Sequence, residues 1–366
     1  MNDSHDTLSQ TDRVLFDLVS TPSVSGNEAA AAKVFVQHAQ ALGLDTEIDE
    51  AGNTVAHYGP ANSAAHIVLL GHIDTVPGDL PVFIQDGTLH GRGSVDAKGP
   101  LAAMLMAVSR LDLQDDIRVT VAGAVGEEIA GSPGARHLAK KYRPTACIIG
   151  EPSGWDGVTL GYKGCVSIEA TNECEIAHSA GPNPSAGDDL LTWWSKVIEF
   201  ITHYNQSHSR IFDQIQATVR GLSSADDGLK QYATLKAGFR LPIAIHPDEM
   251  VTRLQDTIAI LEGGSITIKA TGEESAVRSD RNDPVVQALS QAIRSHDARP
   301  RPKLKTGTAD FNVVAPIWRC PIAAYGPGDS SLDHTPHERL SLTEYHRSID
   351  ILHRTITTLA KTPSEI

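Results

Sequence analysis

Ile67-Val68-Leu69-Leu70-Gly71-His72-Ile73-Asp74-Thr75-Val76-Pro77 decides the fold. The apolar run before Gly71 reads as a strand buried on both faces, and such strands belong to sheets covered on each side by helices. In sheets of that kind the ligand site lies beyond the carboxyl ends of the strands, which is where His72 and Asp74 fall. Ile117 to Val125, rich in β-branched residues, repeats the pattern and runs into Gly126-Glu127-Glu128. Ile148-Ile149-Gly150-Glu151-Pro152 repeats it again, and Gly91-Arg92-Gly93-Ser94-Val95-Asp96-Ala97-Lys98-Gly99-Pro100 supplies a further acid. Histidine, aspartate and paired glutamates therefore converge on one rim.

Working outward, residues 8–161 alternate helix and strand. Glu28 to Leu42 reads as a helix closed by Gly43, Leu101 to Leu111 as one opened by Pro100, and Ala135 to Tyr142 as one ending before Pro144. From Tyr162 to about Ala270 the grammar changes: strands at Val166 to Ala170, Leu235 to Leu241 and Ser265 to Ala270, and helices at Asp188 to Tyr204 and Pro247 to Ile260. Helices at Asp283 to His296 and Leu342 to Leu359 return to the first grammar. The expected fold class is α/β, a mixed sheet flanked by helices with an inserted α+β lid. The expected division is 1–160 and 271–366 for the catalytic domain and 161–270 for the insert.

A chain of 366 residues exceeds the size at which one core keeps growing, in keeping with two domains. A net charge of −14 argues against nucleic acid or an anionic membrane as partner. Cys147, Cys165, Cys174 and Cys320 form no C-x-x-C pair and read as buried thiols of a reducing compartment. Residues 1–13 lack an apolar leader core, and Leu101 to Val108 is too short to span a bilayer, so a cytoplasmic location is expected.

His72, Asp96, Glu128, Glu151 and His334, the last within Pro327-Gly328-Asp329-Ser330-Ser331-Leu332-Asp333-His334-Thr335-Pro336, are candidate metal ligands. Hydrolytic zinc needs a few N/O ligands with a position left for water, and a pair of ions needs a bridging carboxylate. Singly, each residue reads equally as a satisfied histidine or a helix cap. Spacing alone leaves both interpretations open.

His72-x-Asp74, Gly91-Arg92-Gly93 with Asp96 and Lys98-Gly99, Glu127-Glu128, Gly150-Glu151-Pro152-Ser153 and His334-Thr335-Pro336 together resemble the ordered motifs of the di-zinc aminoacylase, acetylornithine deacetylase and carboxypeptidase G family. The resemblance spans nearly the whole chain and implies a zinc-exopeptidase-like fold holding two Zn²⁺ per subunit, with Co²⁺ or Mn²⁺ as substitutes. It implies that Asp96 bridges the ions, with His72 and Glu151 on one and Glu128 and His334 on the other. Glu127 then matches the general acid/base and Asp74 the acid that orients His72. His178, in Ala177-His178-Ser179-Ala180-Gly181, resembles a lid histidine that reaches a neighbouring subunit's site, which implies a homodimer through the lid. Arg240 resembles the strand arginine that receives a substrate carboxylate.

Gly150 to Gly164, Lys305 to Asn312 and Tyr325 to Thr335 further resemble the branch that releases lysine or ornithine from the carrier protein LysW, also described as N-acetyl-lysine or N-acetyl-ornithine deacetylases. That implies a role in lysine and arginine biosynthesis and makes Gly307, Thr308 and Asp310 candidate substrate-binding residues. Asp310, the single acid of its stretch, would face the cationic side chain of the product; a plain helix N-cap is the alternative. Where many relatives carry a lid asparagine, this chain has Asp226-Asp227. Residues 159–270 hold 9 Lys+Arg against 13 Asp+Glu, so a basic docking face would need a local cluster such as Lys163, Lys196 and Arg210.

Three other classes fit less well. Gly328-Asp329-Ser330-Ser331-Leu332 lacks the final glycine of a nucleophile elbow. A dinucleotide loop would find Asp96 at its third glycine, where an acid repels pyrophosphate. A metal-free binding protein would not be expected to keep all five ligands and Glu127. A general acyl-amino-acid deacylase or dipeptidase stays open as an alternative enzyme.

Overall fold

The structure, a computed structural model, describes residues 8–113, 116–178, 180–259 and 265–361. The chain divides into two units, one of residues 1–161, 279–304 and 309–366, the other of residues 162–278 and 305–308.

The first unit is built on a mixed sheet. Its strands run in the order Asp45–Ile48, Thr54–Tyr58, Ile117–Ala124, Ala65–His72, Ala146–Gly150, Ile322–Ala324 and Gly157–Tyr162. The four from Ile117–Ala124 to Ile322–Ala324 are parallel; Thr54–Tyr58 and Gly157–Tyr162 flank them antiparallel, and Asp45–Ile48 pairs antiparallel with Thr54–Tyr58. Val68, Leu69 and Leu70 are wholly buried, as a run without polar alternation requires. Gly71 pairs with Gly150, and a Cβ on Gly150 would lie 3.1 Å from the Gly71 Cα and 3.0 Å from Met104. Glycine at both places lets the strand ends close up directly beneath His72 and Glu151.

The helix that packs against these strands begins at Lys98 and ends at Ser109, three residues earlier than the expected start at Leu101. Pro100 therefore sits inside its first turn, where an N–H has no intrahelical acceptor and its loss is harmless. Every residue from Lys98 to Val108 is buried, the signature of a core helix apolar all round. Lys98 pays for its burial by donating Nζ to Thr21 O at 2.7 Å, and desolvation lowers its pKa to about 8. This helix packs against helices Gln10–Ser20 and Leu342–Ala360, and the unit also holds helices Ala29–Ala41, Pro133–Lys141 and Pro284–Arg294.

In the second unit the strands Gln216–Asp226, Lys230–Leu241, Gly164–Glu175 and Thr267–Glu274 form an antiparallel sheet in that order. Helices Ala186–Gln206 and Pro247–Ala259 supply Trp193, Met250 and Leu254 to a core shared with Leu235 and Phe239. The edge strand Gln216–Asp226 is absent from the sequence reading because nearly all its side chains are exposed, which erases the apolar alternation. Its hairpin explains Asp226-Asp227: the Asp227 carboxylate accepts the backbone N–H groups of Leu229 and Lys230 and the Tyr232 hydroxyl. The three residues suggested for a basic cluster do not present three unpaired surface charges. Lys163 is fully buried, Lys196 pairs with Glu199 at 3.0 Å, and Arg210 pairs with Asp213 at 2.8 Å.

The four cysteines are free, and burial pushes the Cys320 thiol up to about 12, so it stays protonated and unreactive. Among the described residues no helix is long and apolar enough to cross a membrane.

Candidate metal centre

Three adjacent parallel strands deliver most of the candidate ligands. His72 is the last residue of its strand, Glu151 follows Ala146–Gly150, and Glu127 and Glu128 follow Ile117–Ala124 after a turn at Gly126. Gly126 adopts φ +69°, a conformation that a side chain would strain. Asp96 precedes the buried helix, and His334 comes from the loop before strand Arg339–Ser341.

Asp96 stands between the two histidines. Its Oδ1 lies 3.1 Å from His72 Nε2, and its Oδ2 lies 3.0 Å from His334 Nε2. His72 Nε2 is also 3.9 Å from Glu151 Oε1, and His334 Nε2 is 3.0 Å from Glu128 Oε1. Three triads have donor atoms within 4.8 Å of one another: His72–Asp96–Glu151, Asp96–Glu128–His334 and His72–Glu127–Glu128. Tetrahedral zinc with bonds of about 2.0–2.1 Å places its ligand atoms roughly 3.3 Å apart, close to these separations.

The electrostatics fit a cationic occupant. Asp96, Glu127, Glu128 and Glu151 gather four carboxyl groups, and like charges in a desolvated site need a counter-charge. Burial pushes Glu127 well above the usual carboxylate range; Glu151, Asp310 and Glu128 reinforce the shift and His72 opposes it. Hydrogen bonds to Asp96 and Glu128 push His334 up to about 10. Imidazole and carboxylate donors with two divalent cations would balance the four acids.

Asp74 is wholly buried and does more than face His72. His72 Nδ1 lies 3.0 Å from Asp74 O and 3.5 Å from Asp74 Oδ1, which leaves Nε2 turned to the cluster. The same carboxylate accepts the backbone N–H of Glu127 and of Glu128, both at 3.1 Å, and the Ser25 hydroxyl at 2.7 Å. Burial would raise its pKa, but the His72 contact outweighs that, helped by Ser25 and the Glu128 amide, and holds it low. Ser25 was not legible as a site residue, because it reaches Asp74 across 49 positions with no motif around it.

Residues 68–358 match the model of peptidase family M20/M25/M40. The chain belongs to that family. The chain is 44% identical, over 93% of its length and 94% of the other's, to a protein of Deinococcus radiodurans named [LysW]-lysine hydrolase. It is 31% identical, over 91% of each chain, to a [LysW]-lysine/[LysW]-ornithine hydrolase of Saccharolobus islandicus. A metallo-carboxypeptidase of Sulfolobus solfataricus shares the fold, with a TM-score of 0.78 at 18% identity, covering 97% of this chain and 100% of that one.

The remaining candidates of this M20/M25/M40 peptidase fall into two groups. In the second unit, Arg240 donates Nη1 to Thr308 Oγ1 at 2.9 Å, and Gly307 stands beside them with open space where a Cβ would be. His178 of the same unit is exposed; its Nδ1 accepts the Ala180 N–H at 3.1 Å, so in the neutral ring the proton sits on Nε2. Asp310 belongs to the first unit, is 2% exposed, and contributes to the field that raises Glu127. It is the first residue of helix Asp310–Trp318, not its cap: Ala309 holds that position, and its N–H donates to Asn312 Oδ1 at 3.0 Å.

Proposed function

We propose that this chain is a di-zinc amide hydrolase that releases L-lysine, and L-ornithine in parallel, from the carrier-linked form of the amino acid. The observation that carries the chemistry is Asp96 facing both histidines with separate oxygens. The similarity to hydrolases named for LysW-linked substrates, over more than nine-tenths of the chain, supports the substrate class.

The ligands are assigned as His72, Asp96 and Glu151 for one ion and Asp96, Glu128 and His334 for the other. Bound there, divalent ions would polarise the scissile carbonyl and acidify a shared water. Glu127 takes the proton from the attacking water on its carboxylate and returns it to the departing amine, so water and amide become acid and amine. Asp74 holds the His72 ring and the Glu127–Glu128 backbone in place. Arg240, with Thr308 beside it and Gly307 leaving room, receives the α-carboxylate of the amino acid, and Asp310 receives its side-chain ammonium. His178 donates from Nε2 to the oxyanion of a neighbouring subunit's substrate.

A homodimer through the second unit is supported by Val219, Leu222, Leu229 and Tyr232, which stand exposed along its edge strand and hairpin. The deciding experiment measures free lysine and ornithine released from carrier-linked and from N-acetylated substrates in parallel. Faster release from the carrier-linked pair is expected. Turnover of the acetylated pair alone would make the enzyme a small-molecule deacylase.

A further inference from the structure

We propose that Glu338 is the positioning residue that fixes Asp96 and His334 relative to each other, and so sets the affinity of the Asp96–Glu128–His334 ion site. The inference rests on the metal reading above. Glu338 is 2% exposed, and its Oε1 accepts the backbone N–H of Val95 at 3.0 Å and of Asp96 at 3.1 Å. Its Oε2 accepts Arg92 Nη1 at 2.7 Å, and Arg92 Nε is in turn anchored on Gly78 O at 3.2 Å. The backbone joins the same tie, since Glu338 O accepts the Gly91 N–H at 3.3 Å. One acid therefore straps the whole turn that presents the bridging carboxylate.

The other end of the strap is His334, four positions earlier. His334 adopts φ +62°, a left-handed conformation that costs free energy for any residue other than glycine and persists only where the surroundings impose it. Downstream of Glu338, Arg339, Leu340 and Ser341 pair with His90, Leu89 and Thr88, so the segment after His334 is held by that ladder and by Glu338 together. The arrangement parallels Asp74, whose carboxylate accepts the two amides of Glu127 and Glu128. Each bridging or paired ligand thus has a buried acid beneath its own backbone. His72 and Glu151 need no such strap, because they sit on strand ends that the central sheet already fixes.

An asymmetry follows. Loss of Glu338 loosens Asp96 for both ions and additionally frees the His334 arm for one. Glu338→Ala is expected to weaken the Asp96–Glu128–His334 site by about 10–100-fold and the His72–Asp96–Glu151 site by less, in the range found for groups that orient metal ligands. Glu338→Gln keeps one oxygen for the two amides while setting an amide group against Arg92, so it should fall between wild type and Glu338→Ala. Adding Arg92→Met to Glu338→Gln removes that clash and should restore affinity toward wild type.

Zinc affinity of the metal-stripped protein, by chelator competition, reads the consequence; hydrogen–deuterium exchange over residues 91–97 without metal reads the strap itself. Exchange there should rise in Glu338→Ala and stay near wild type in the double variant. A folded Glu338→Ala with unchanged exchange over 91–97 overturns the proposal, and so do two ion affinities falling by the same factor. Wild-type protein that takes up a single ion would defeat the two-ion reading separately, while the exchange result still judges the strap.

Discussion

Asp74 Oδ1 accepts the backbone N–H of Glu127 at 3.1 Å, so the acid that faces His72 also fixes the residue proposed to carry the proton. Its second oxygen does the same for Glu128. Asp74→Asn leaves one acceptor oxygen and turns an NH₂ group toward the other backbone N–H. We expect kcat or zinc affinity to fall by about 10–100-fold, as for other groups behind a metal ligand. Steady-state kinetics with metal content measured on the same sample checks this, and wild-type values for both would remove Asp74 from the site.

Glu127→Gln should keep its metal and lose turnover. The amide fills the same space but cannot accept the proton, and a loss of at least about 10²-fold in kcat is expected. Mixing inactive Glu127→Gln subunits with inactive His178→Ala subunits should restore activity in heterodimers, each of which contains one site with both groups intact. Heterodimers that form yet stay inactive would place His178 outside the neighbouring site.

Asp96→Ala should lose both ions, whereas His334→Ala should lose one. The reason is geometric: Asp96 sets one oxygen 3.1 Å from His72 Nε2 and the other 3.0 Å from His334 Nε2. Metal content by elemental analysis distinguishes the cases, and an Asp96→Ala protein holding one ion at wild-type affinity would defeat the bridged arrangement.

Asp310→Asn should reduce kcat/KM on lysine- and ornithine-terminated substrates more than on a norleucine-terminated one, because only the first two offer an ammonium group to a buried carboxylate. Equal losses on all three would make Asp310 structural, in keeping with its place in the first turn of a helix.

A histidine pair outside the metal centre bears on acid stability. Thr120 Oγ1 lies 2.9 Å from His57 Nδ1 and 2.7 Å from His66 Nε2, so one hydroxyl serves both rings. Desolvation, with the charge of Arg118, lowers both pKa values from 6.5 to about 4. Between those two values the unfolded chain holds more protons than the folded one, so stability rises with pH there and is lost as pH falls from 6.5 toward 4. Urea unfolding at pH 5 and pH 7 should show a smaller difference for His57→Gln/His66→Gln than for wild type. An unchanged difference would mean that the rings are not held neutral.

The sequence by itself determined the central strands and the residues at their ends. A strand buried on both faces carries no polar alternation, so Ile67 to Leu70 and Ile148-Ile149 are visible as runs, and whatever follows such a run stands on the ligand-binding rim. The boundary of the buried helix was misread because Pro100 looks like a start signal although it is equally at home within a first turn. The strand Gln216–Asp226 was invisible because an exposed edge strand imposes no pattern on its side chains. Only the tertiary structure decided how the acids are used: that Asp96 divides its oxygens between two histidines, that Ser25 donates to the Asp74 carboxylate while Glu338 holds the Val95 and Asp96 amides, and that Lys163 is buried while Lys196 and Arg210 each pair with an acid. Those pairings join distant segments, such as Glu128 and His334 across 206 positions. Local propensity records how each residue meets its neighbours along the chain, while the partner of a buried carboxylate is set by where the packed strands bring the backbone.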